Sequence, residues 1–286
     1  MLLKKIIIDT DPGQDDALAL MTAFGNENLQ VLGVTCVAGN VSLDLTSENA
    51  LKICELTGKE GIPVFKGCEK PLRRKLVTAE HVHGKTGLDG TELSVKNKKE
   101  EKKEASDFII ETLLENDKKK ITLCALGPLT NIATALLKKP EIGDLLEEIV
   151  LMGGGFFEGG NITPAAEFNI YVDPEAAKIV LGSGVKITML PLDVTHKTLV
   201  DRKFLSELRS SDKNSAIQAA KLLDFFERYD IQKYGSKGGP LHDPNVIVYL
   251  LNPEIYKGKI VNVEVEIESE LTRGMTVVDW WGVTDR

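Results

Sequence analysis

The chain has 286 residues, 42% hydrophobic and 27% charged, with a formal net charge of −8. This is the composition of a globular protein with a sizeable core, and the negative balance argues against nucleic-acid phosphate as a partner. No apolar run approaches the length of a membrane span, the short Leu2-Leu3 start is not a signal peptide, and Cys36, Cys54, Cys68 and Cys124 lack C-x-x-C spacing. Neither a membrane partner, a zinc site nor a disulfide framework is therefore expected, and a reducing cytoplasm is the simplest location.

The first element is a strand over 6–8. Ile6-Ile7-Ile8 behind Lys4-Lys5 reads as a strand buried on both faces, as in parallel sheets. Pro12-Gly13 then turns the chain, and Asp15 or Asp16 opens an Ala/Leu-rich helix. Asp9, Asp11, Asp15 and Asp16 thus crowd the carboxyl end of one strand and the start of the next helix, where open α/β sheets place their ligands. Two such charges about 4 Å apart repel by about 4 kcal/mol at an effective dielectric near 20. Helix-capping amides absorb one or two carboxylates; the others need a cation, a proton or a bound donor. With no Cys or His between Asp9 and Asp16, a hard, oxygen-preferring cation fits.

Residues 29–37 read as a second buried strand ending at Ala38-Gly39-Asn40. Ser42 or Asp44 starts a helix that Gly58 stops, and Ile62-Pro63-Val64-Phe65 is a short strand. Periodicity fades over 67–100, where the stretch His81-Val82-His83-Gly84-Lys85-Thr86-Gly87-Leu88-Asp89-Gly90 suggests a functional or disordered loop. The charge run over 96–103 reads as a solvated helix entrance. A helix over 105–116, a strand over 121–125, the segment Leu126-Gly127-Pro128-Leu129-Thr130-Asn131 and another helix follow.

A strand over 149–152 runs into Gly153-Gly154-Gly155, read as close backbone approach to something bound because no phosphate-loop lysine accompanies it. Asn161, Glu167 and Asn169 make the next loop dense in amides and acid. Asp173-Pro174 starts a helix, residues 186–190 form a strand closed by Pro191-Leu192-Asp193, and helices begin at Asp201 and at about Asn214. Phe225, Phe226, Tyr229 and Tyr234 are assigned mostly to the core, with Tyr229 and Tyr234 equally compatible with a pocket wall. A mobile-looking loop over 235–240 precedes Leu241-His242-Asp243-Pro244, with Asp243 capping a helix through Leu251 and a strand over 261–267. Trp280 and Trp281 are read as packing or interface residues. The alternation of strand and helix over 1–286 predicts a single α/β domain around a mainly parallel, doubly wound open sheet with helices on both faces.

Asp11, Asp15, Asp16, Asn40, Asn161, Glu167, Asn169, His242 and Asp243 all follow strands or begin helices. Carboxylates and amides with few cations suit a metal plus a neutral polyol such as a sugar. Here the sequence resembles the inosine-uridine preferring nucleoside hydrolase family. The resemblance rests on Asp9-Thr10-Asp11-Pro12-Gly13-Gln14-Asp15-Asp16-Ala17, reinforced by Ala38-Gly39-Asn40, Gly127-Pro128-Leu129-Thr130-Asn131, Met152-Gly153-Gly154, Ala166-Glu167-Phe168-Asn169 and His242-Asp243-Pro244, in the family's order over nearly the whole chain.

The resemblance implies hydrolysis of the N-glycosidic bond of ribonucleosides and one Ca²⁺ ligated by the side chains of Asp11, Asp16 and Asp243 and the backbone carbonyl of Leu126, where the family frequently has threonine. Asp11 would also deprotonate the attacking water. Asp15, Asn40 and Asn169 would hold the 2′ and 3′ hydroxyls, Asn161 and Glu167 the 5′ hydroxyl, and Met152 would line the sugar pocket. His242 would act near the departing base, His83 would lie on a loop closing over the nucleoside, and Asp9 would orient the carboxylate turn. His242 favours inosine or pyrimidine nucleosides over a strictly purine enzyme, with a lean to pyrimidines. A homodimer or homotetramer would be usual. The family generally continues past Gly274-Met275-Thr276-Val277-Val278-Asp279, whereas this chain stops at Arg286.

Two other readings of the motif differ in chemistry. A haloacid dehalogenase-like phosphatase would use Asp9 as nucleophile with Mg²⁺, but leaves Asp15-Asp16 and the amide-rich loop unexplained. A calcium-dependent nucleoside or sugar binding protein would not need a base at Asp11.

Overall fold

Ile6, Ile7 and Ile8 are completely buried in the computed structural model, which describes residues 3–235 and 238–286 apart from the side chains of Asp230 and Tyr234. Alternate side chains of a strand face opposite sides, and these three divide between two cores. Ile6 and Ile8 pack into one, Ile7 into the other. Burying each isoleucine contributes about 1.5–3 kcal/mol, so this one strand anchors both layers.

In chain order the elements are β1 (Lys4–Thr10), α1 (Gln14–Phe24), β2 (Leu29–Cys36), α2 (Leu43–Leu56), β3 (Val64–Lys66), α3 (Glu80–His83), α4 (Ala105–Glu115), β4 (Ile121–Ala125), α5 (Thr130–Lys138), β5 (Leu146–Met152), α6 (Phe168–Val172), α7 (Pro174–Leu181), β6 (Ile187–Leu190), α8 (Leu192–Thr195), α9 (Arg202–Arg209), α10 (Asn214–Tyr234), α11 (Pro244–Leu251), β7 (Val263–Val265) and β8 (Thr276–Val278). The first six strands form one sheet in the order β3-β2-β1-β4-β5-β6, every pairing parallel. Side chains from α1, α2, α10 and α11 share the core of Ile6 and Ile8; those from α4, α5 and α7 share the core of Ile7. The doubly wound α/β sheet is as expected.

The order reverses between β1 and β4, which makes their carboxyl ends the switch-point crevice. No helix among the described residues is long and apolar enough to cross a membrane.

Local differences have local causes. Helix α1 begins at Gln14, one residue before the expected acids, because the Asp16 carboxylate reaches back to the Gly13 amide at 2.9 Å. Strand β3 starts at Val64, past Pro63, which has no amide to give the ladder. Strand β5 extends back to Leu146. The strand expected over 261–267 shortens to β7 and pairs antiparallel with β8, outside the main sheet. The stretch expected to be loop at 81–90 begins as helix α3, and the Asp89 carboxylate gathers the amides of Lys85 and Thr86 at 3.2 and 3.1 Å. Of the loop expected over 235–240, Ser236 and Lys237 lie outside the described residues, as do Leu2 and the side chain of Tyr234; Val200 donates to the Gly239 carbonyl beyond them.

Candidate active site

A cleft of about 750 Å³ opens at the carboxyl ends of the strands. Its floor carries Asp15, Asn40, Leu126, Met152 and Asp243; its walls include His83, Asn161, Glu167, Asn169 and His242. Among residues expected at the site, Asp11 and Asp16 do not line the cleft and lie buried in the carboxylate cluster.

Ligand oxygens of Asp15, Asp16 and Asp243 all lie within 4.8 Å of one another. Asp16 accepts from the Thr10 hydroxyl, the Gly13 amide and the Asn40 side chain. Asp11 accepts the Asn40 amide on Oδ2 at 2.7 Å, while its buried Oδ1 has no partner. Asp243 occupies the N-cap of α11, but its side chain caps nothing, contrary to expectation. Its carboxylate is turned over to the acidic cluster instead, where it shares a hydrogen bond with Asp16.

Burial raises every carboxyl of this group. Asp15 is pushed up to about 8 by burial and then by the charge of Asp16. Asp11 and Asp243 are held well above the carboxylate range by burial, followed by neighbouring Asp charges, and Asp16 is raised by burial against several hydrogen bonds. Ionising the whole cluster therefore requires a compensating cation. The donors are all oxygens, Asp15, Asp16 and Asp243 converge, and Asp11 beside them has a buried Oδ1 without a partner, as is Asp9 Oδ2 outside the group. The residues fit a hard divalent ion.

Asp9 is set apart. It is fully buried, does not line the cleft, and accepts from Thr35 Oγ1 and from Asn131 Nδ2 at 2.8 Å. Burial pushes it up to about 7. The phosphatase reading also leaves Asp15 and Asp16, which the structure gathers with Asp243, without a role.

The amide-rich loop contributes differently from a row of free hydrogen-bonding groups. Glu167 caps α6, accepting the amides of Gly154 and Asn169 at 2.9 Å and Ile170 at 3.2 Å, and burial pushes it up to about 7. Asn161 Oδ1 accepts the Phe168 amide at 2.9 Å. Asn169 donates to the carbonyls of Leu126 and Met152.

The other wall is aromatic. His83 and Phe226 stack with ring centroids 5.6 Å apart, His81 meets Tyr229 edge-on at 5.6 Å, and His242 lies 5.8 Å from His196. The Thr195 hydroxyl and His242 Nδ1 are 2.8 Å apart. Enclosure, followed by the nearby His196 and His83, pushes His242 down to about 3, so its ring is neutral. His81, His196 and Phe226 line the cleft without having been expected there, and Tyr229 takes the pocket-wall alternative that the sequence left open. The spacing of Phe226 and Tyr229 on one face of α10 was a usable signal; nothing in the sequence marked His196.

A sequence profile described as inosine-uridine preferring nucleoside hydrolase matches residues 6–286. A Schizosaccharomyces pombe protein without a characterised function is 51% identical over 98% of this chain and 90% of its own length. A pyrimidine-specific ribonucleoside hydrolase, RihA, from Shewanella sp. strain MR-7 is 46% identical over 99% of this chain and 89% of its own. The structure of a purine-preferring ribonucleoside hydrolase from Gardnerella vaginalis superposes with a TM-score of 0.92 at 34% identity, covering 99% of this chain and 90% of that one. With the carboxylate crevice at the switch point of the same fold, the chain belongs to the inosine-uridine preferring nucleoside hydrolase family and is a nucleoside-hydrolysing enzyme.

Proposed function

We propose that the cleft hydrolyses ribonucleosides with Ca²⁺ as its ion and with pyrimidine nucleosides preferred. The observation that carries the reading is the buried group of Asp15, Asp16 and Asp243 with Asp11 beside it, whose carboxyls burial raises and a cation would compensate. Asp11, Asp16, Asp243 and the Leu126 carbonyl would hold the ion, and Asp15 also lies within ligand distance of the last two carboxylates. Bound there, Ca²⁺ would lower the pKa of the attacking water and neutralise the cluster.

The protein's own groups then have distinct tasks. Asp11, through its unpartnered Oδ1, takes the proton from the attacking water. Asp15, Asn40 and Asn169 hold the 2′ and 3′ hydroxyls, with Asn161 and Glu167 toward the 5′ hydroxyl and Met152 against the sugar. Positive charge develops on the ribose as the bond breaks, and surrounding carboxylates and carbonyls stabilise it. The aromatic wall of His83, Phe226 and His242 takes the base. His242 hydrogen-bonds the departing base; with its ring neutral, it offers the developing negative charge an N–H hydrogen bond and not a proton.

The pyrimidine preference draws on the RihA relative, and the fold itself also serves a purine-preferring enzyme. Initial rates of ribose release from uridine, cytidine, inosine and adenosine, with Ca²⁺ and then with a chelator, test both halves. A higher kcat/KM for uridine and cytidine that disappears on chelation is expected; faster inosine or adenosine turnover overturns the base preference, and chelator-resistant turnover overturns the ion. Cytoplasmic nucleoside salvage suits four unpaired cysteines. A homodimer or homotetramer would cover the exposed Ile260, Leu271, Trp281 and Val283, and light scattering reads that mass directly.

A further inference from the structure

Gln14 stands between the acidic turn and the wall of the cleft, and belongs to neither the carboxylate group nor the cleft lining. Its side chain is completely buried. Nε2 donates to the carbonyl oxygens of His83 at 2.9 Å and Asp89 at 3.1 Å, while Oε1 lies 2.7 Å from His83 Nδ1. Two carbonyl oxygens can only accept, so they fix which end of the amide is nitrogen. Oε1 can then only accept from His83. Nδ1 must therefore carry the ring hydrogen, and Nε2 of a neutral ring is left as an acceptor. Burial pushes His83 down to about 3, which keeps the ring neutral. His83 lines the cleft, and a Cβ on Gly13 would fall 2.4 Å from its Nδ1 and 3.0 Å from the Asn40 side-chain nitrogen, so the ring sits beside the residue proposed to hold ribose hydroxyls.

We infer that Gln14 is a positioning residue: it clasps the 83–89 segment onto the start of α1 and sets His83 in its Nδ1–H tautomer, so that His83 Nε2 accepts a hydrogen bond from a hydroxyl of the bound nucleoside. The same turn that presents Asp15 and Asp16 thereby dictates the hydrogen-bonding sense of the opposite wall. An Nε2–H ring would face a substrate hydroxyl with a donor, and the two arrangements select different ligand groups. The kinetic part of this inference rests on the proposed ribonucleoside binding; the tautomer and the clasp do not.

The test compares wild type, Gln14→Met, His83→Ala and the double variant in the full chain with Ca²⁺ present. Nitrogen-15 chemical shifts of the His83 ring are expected to show Nδ1 protonated in wild type, and an Nε2–H ring overturns the assignment whatever the variants do. Gln14→Met is expected to speed amide exchange over 84–89 and to raise KM for uridine about tenfold, with kcat changing less. In the His83→Ala background the same change is expected to leave KM where His83→Ala alone puts it. Additive losses in the double variant, or unchanged exchange over 84–89, overturn the positioning role. Should Gln14→Met fail to fold, the wild-type spectrum still decides the tautomer, and Gln14→Glu, which removes the two donated bonds at equal size, replaces it for exchange. Absence of turnover on any nucleoside would defeat the proposed substrate while leaving the spectroscopic result standing.

Discussion

The side-chain nitrogen of Asn169 donates to the carbonyl oxygen of Leu126 at 2.7 Å and also reaches the Met152 carbonyl at 3.2 Å. One amide thus ties together the ends of neighbouring strands β4 and β5, and it holds the carbonyl proposed as a calcium ligand. A carbonyl oxygen has two lone pairs, so the hydrogen bond orients Leu126 and leaves it able to bind a cation.

Asn169→Asp removes the donor and sets a carboxylate against two carbonyls. The variant should lose about 1–3 kcal/mol of stability, the usual cost of leaving buried acceptors unpaired. Urea unfolding at neutral pH without Ca²⁺ measures it. Acidification should restore part of the loss, since the protonated acid regains an O–H donor. Wild-type stability at neutral pH would show that the clamp contributes nothing.

The buried carboxyls link stability, pH and metal. Asp9 and Glu167 at about 7 and Asp15 at about 8 bind protons more tightly in the folded chain than in the unfolded one. The stability tied to those protons is fully present below the unfolded values near 4 and is lost as pH rises toward about 8. The melting temperature of calcium-free protein should therefore fall between about pH 5 and pH 8 from these groups. Calcium at about 100 times its Kd should restore about 2.7 kcal/mol. Its binding near pH 7 should release protons, read as a dependence of calorimetric heat on buffer ionisation enthalpy. Buffer-independent heats would mean that the cluster is already ionised without the metal.

Asp11 and Asp9 are two residues apart but differ in surroundings. Each has one carboxylate oxygen without a partner, but Asp11 lies beside the other cluster carboxylates, whereas Asp9 is tied through Oδ1 to Thr35 and Asn131 outside the cleft. Asp11→Asn should lower kcat by at least about 10²–10⁴, the range for general-base loss, with more where metal affinity also falls. Asp9→Asn keeps an oxygen that can accept from Thr35 or Asn131 and should cost less. Single-turnover rates at saturating Ca²⁺ make the comparison, and a greater loss at Asp9 would reverse the assignment.

The fold was legible because Ile6-Ile7-Ile8 carries its own two-sided burial, and the acids follow that strand directly. Less legible were residues whose role depends on a distant backbone group. Asn131 looks like an ordinary residue at a helix start, yet it ties the Asp9 carboxylate and the Cys36 carbonyl to the Cys68 amide. Glu167 and Asn161 read as free polar groups because a sequence does not show which carboxylates are occupied by helix-capping amides. His196 reaches the cleft only through the short helix α8, which follows β6 and whose Asp193 binds the amides of Phe156, Phe157 and Glu158. Such long-range pairings leave no periodic trace.

His242 offers the sharpest separation of roles within the site. Its ring belongs to the aromatic wall, its Nδ1 meets the Thr195 hydroxyl at 2.8 Å, and the next residue is Asp243 of the carboxylate cluster. Two consequences of removing it must be distinguished: loss of help to the departing base, and displacement of Asp243. A departing uracil or hypoxanthine gathers negative charge and gains from a hydrogen bond or proton, whereas p-nitrophenolate leaves unaided. Pushed down to about 3 in the cleft, the ring is neutral and helps by donating an N–H hydrogen bond to the charge gathering on the leaving base. His242→Ala should therefore lower kcat on uridine and inosine by about 10–10²-fold, the worth of a hydrogen bond to a charged group, and largely spare p-nitrophenyl riboside. Calcium affinity, measured on the same variant by calorimetry, should stay near that of wild type. Equal losses on natural and activated substrates, accompanied by weakened calcium binding, would assign His242 to holding Asp243 in place and remove it from leaving-group chemistry.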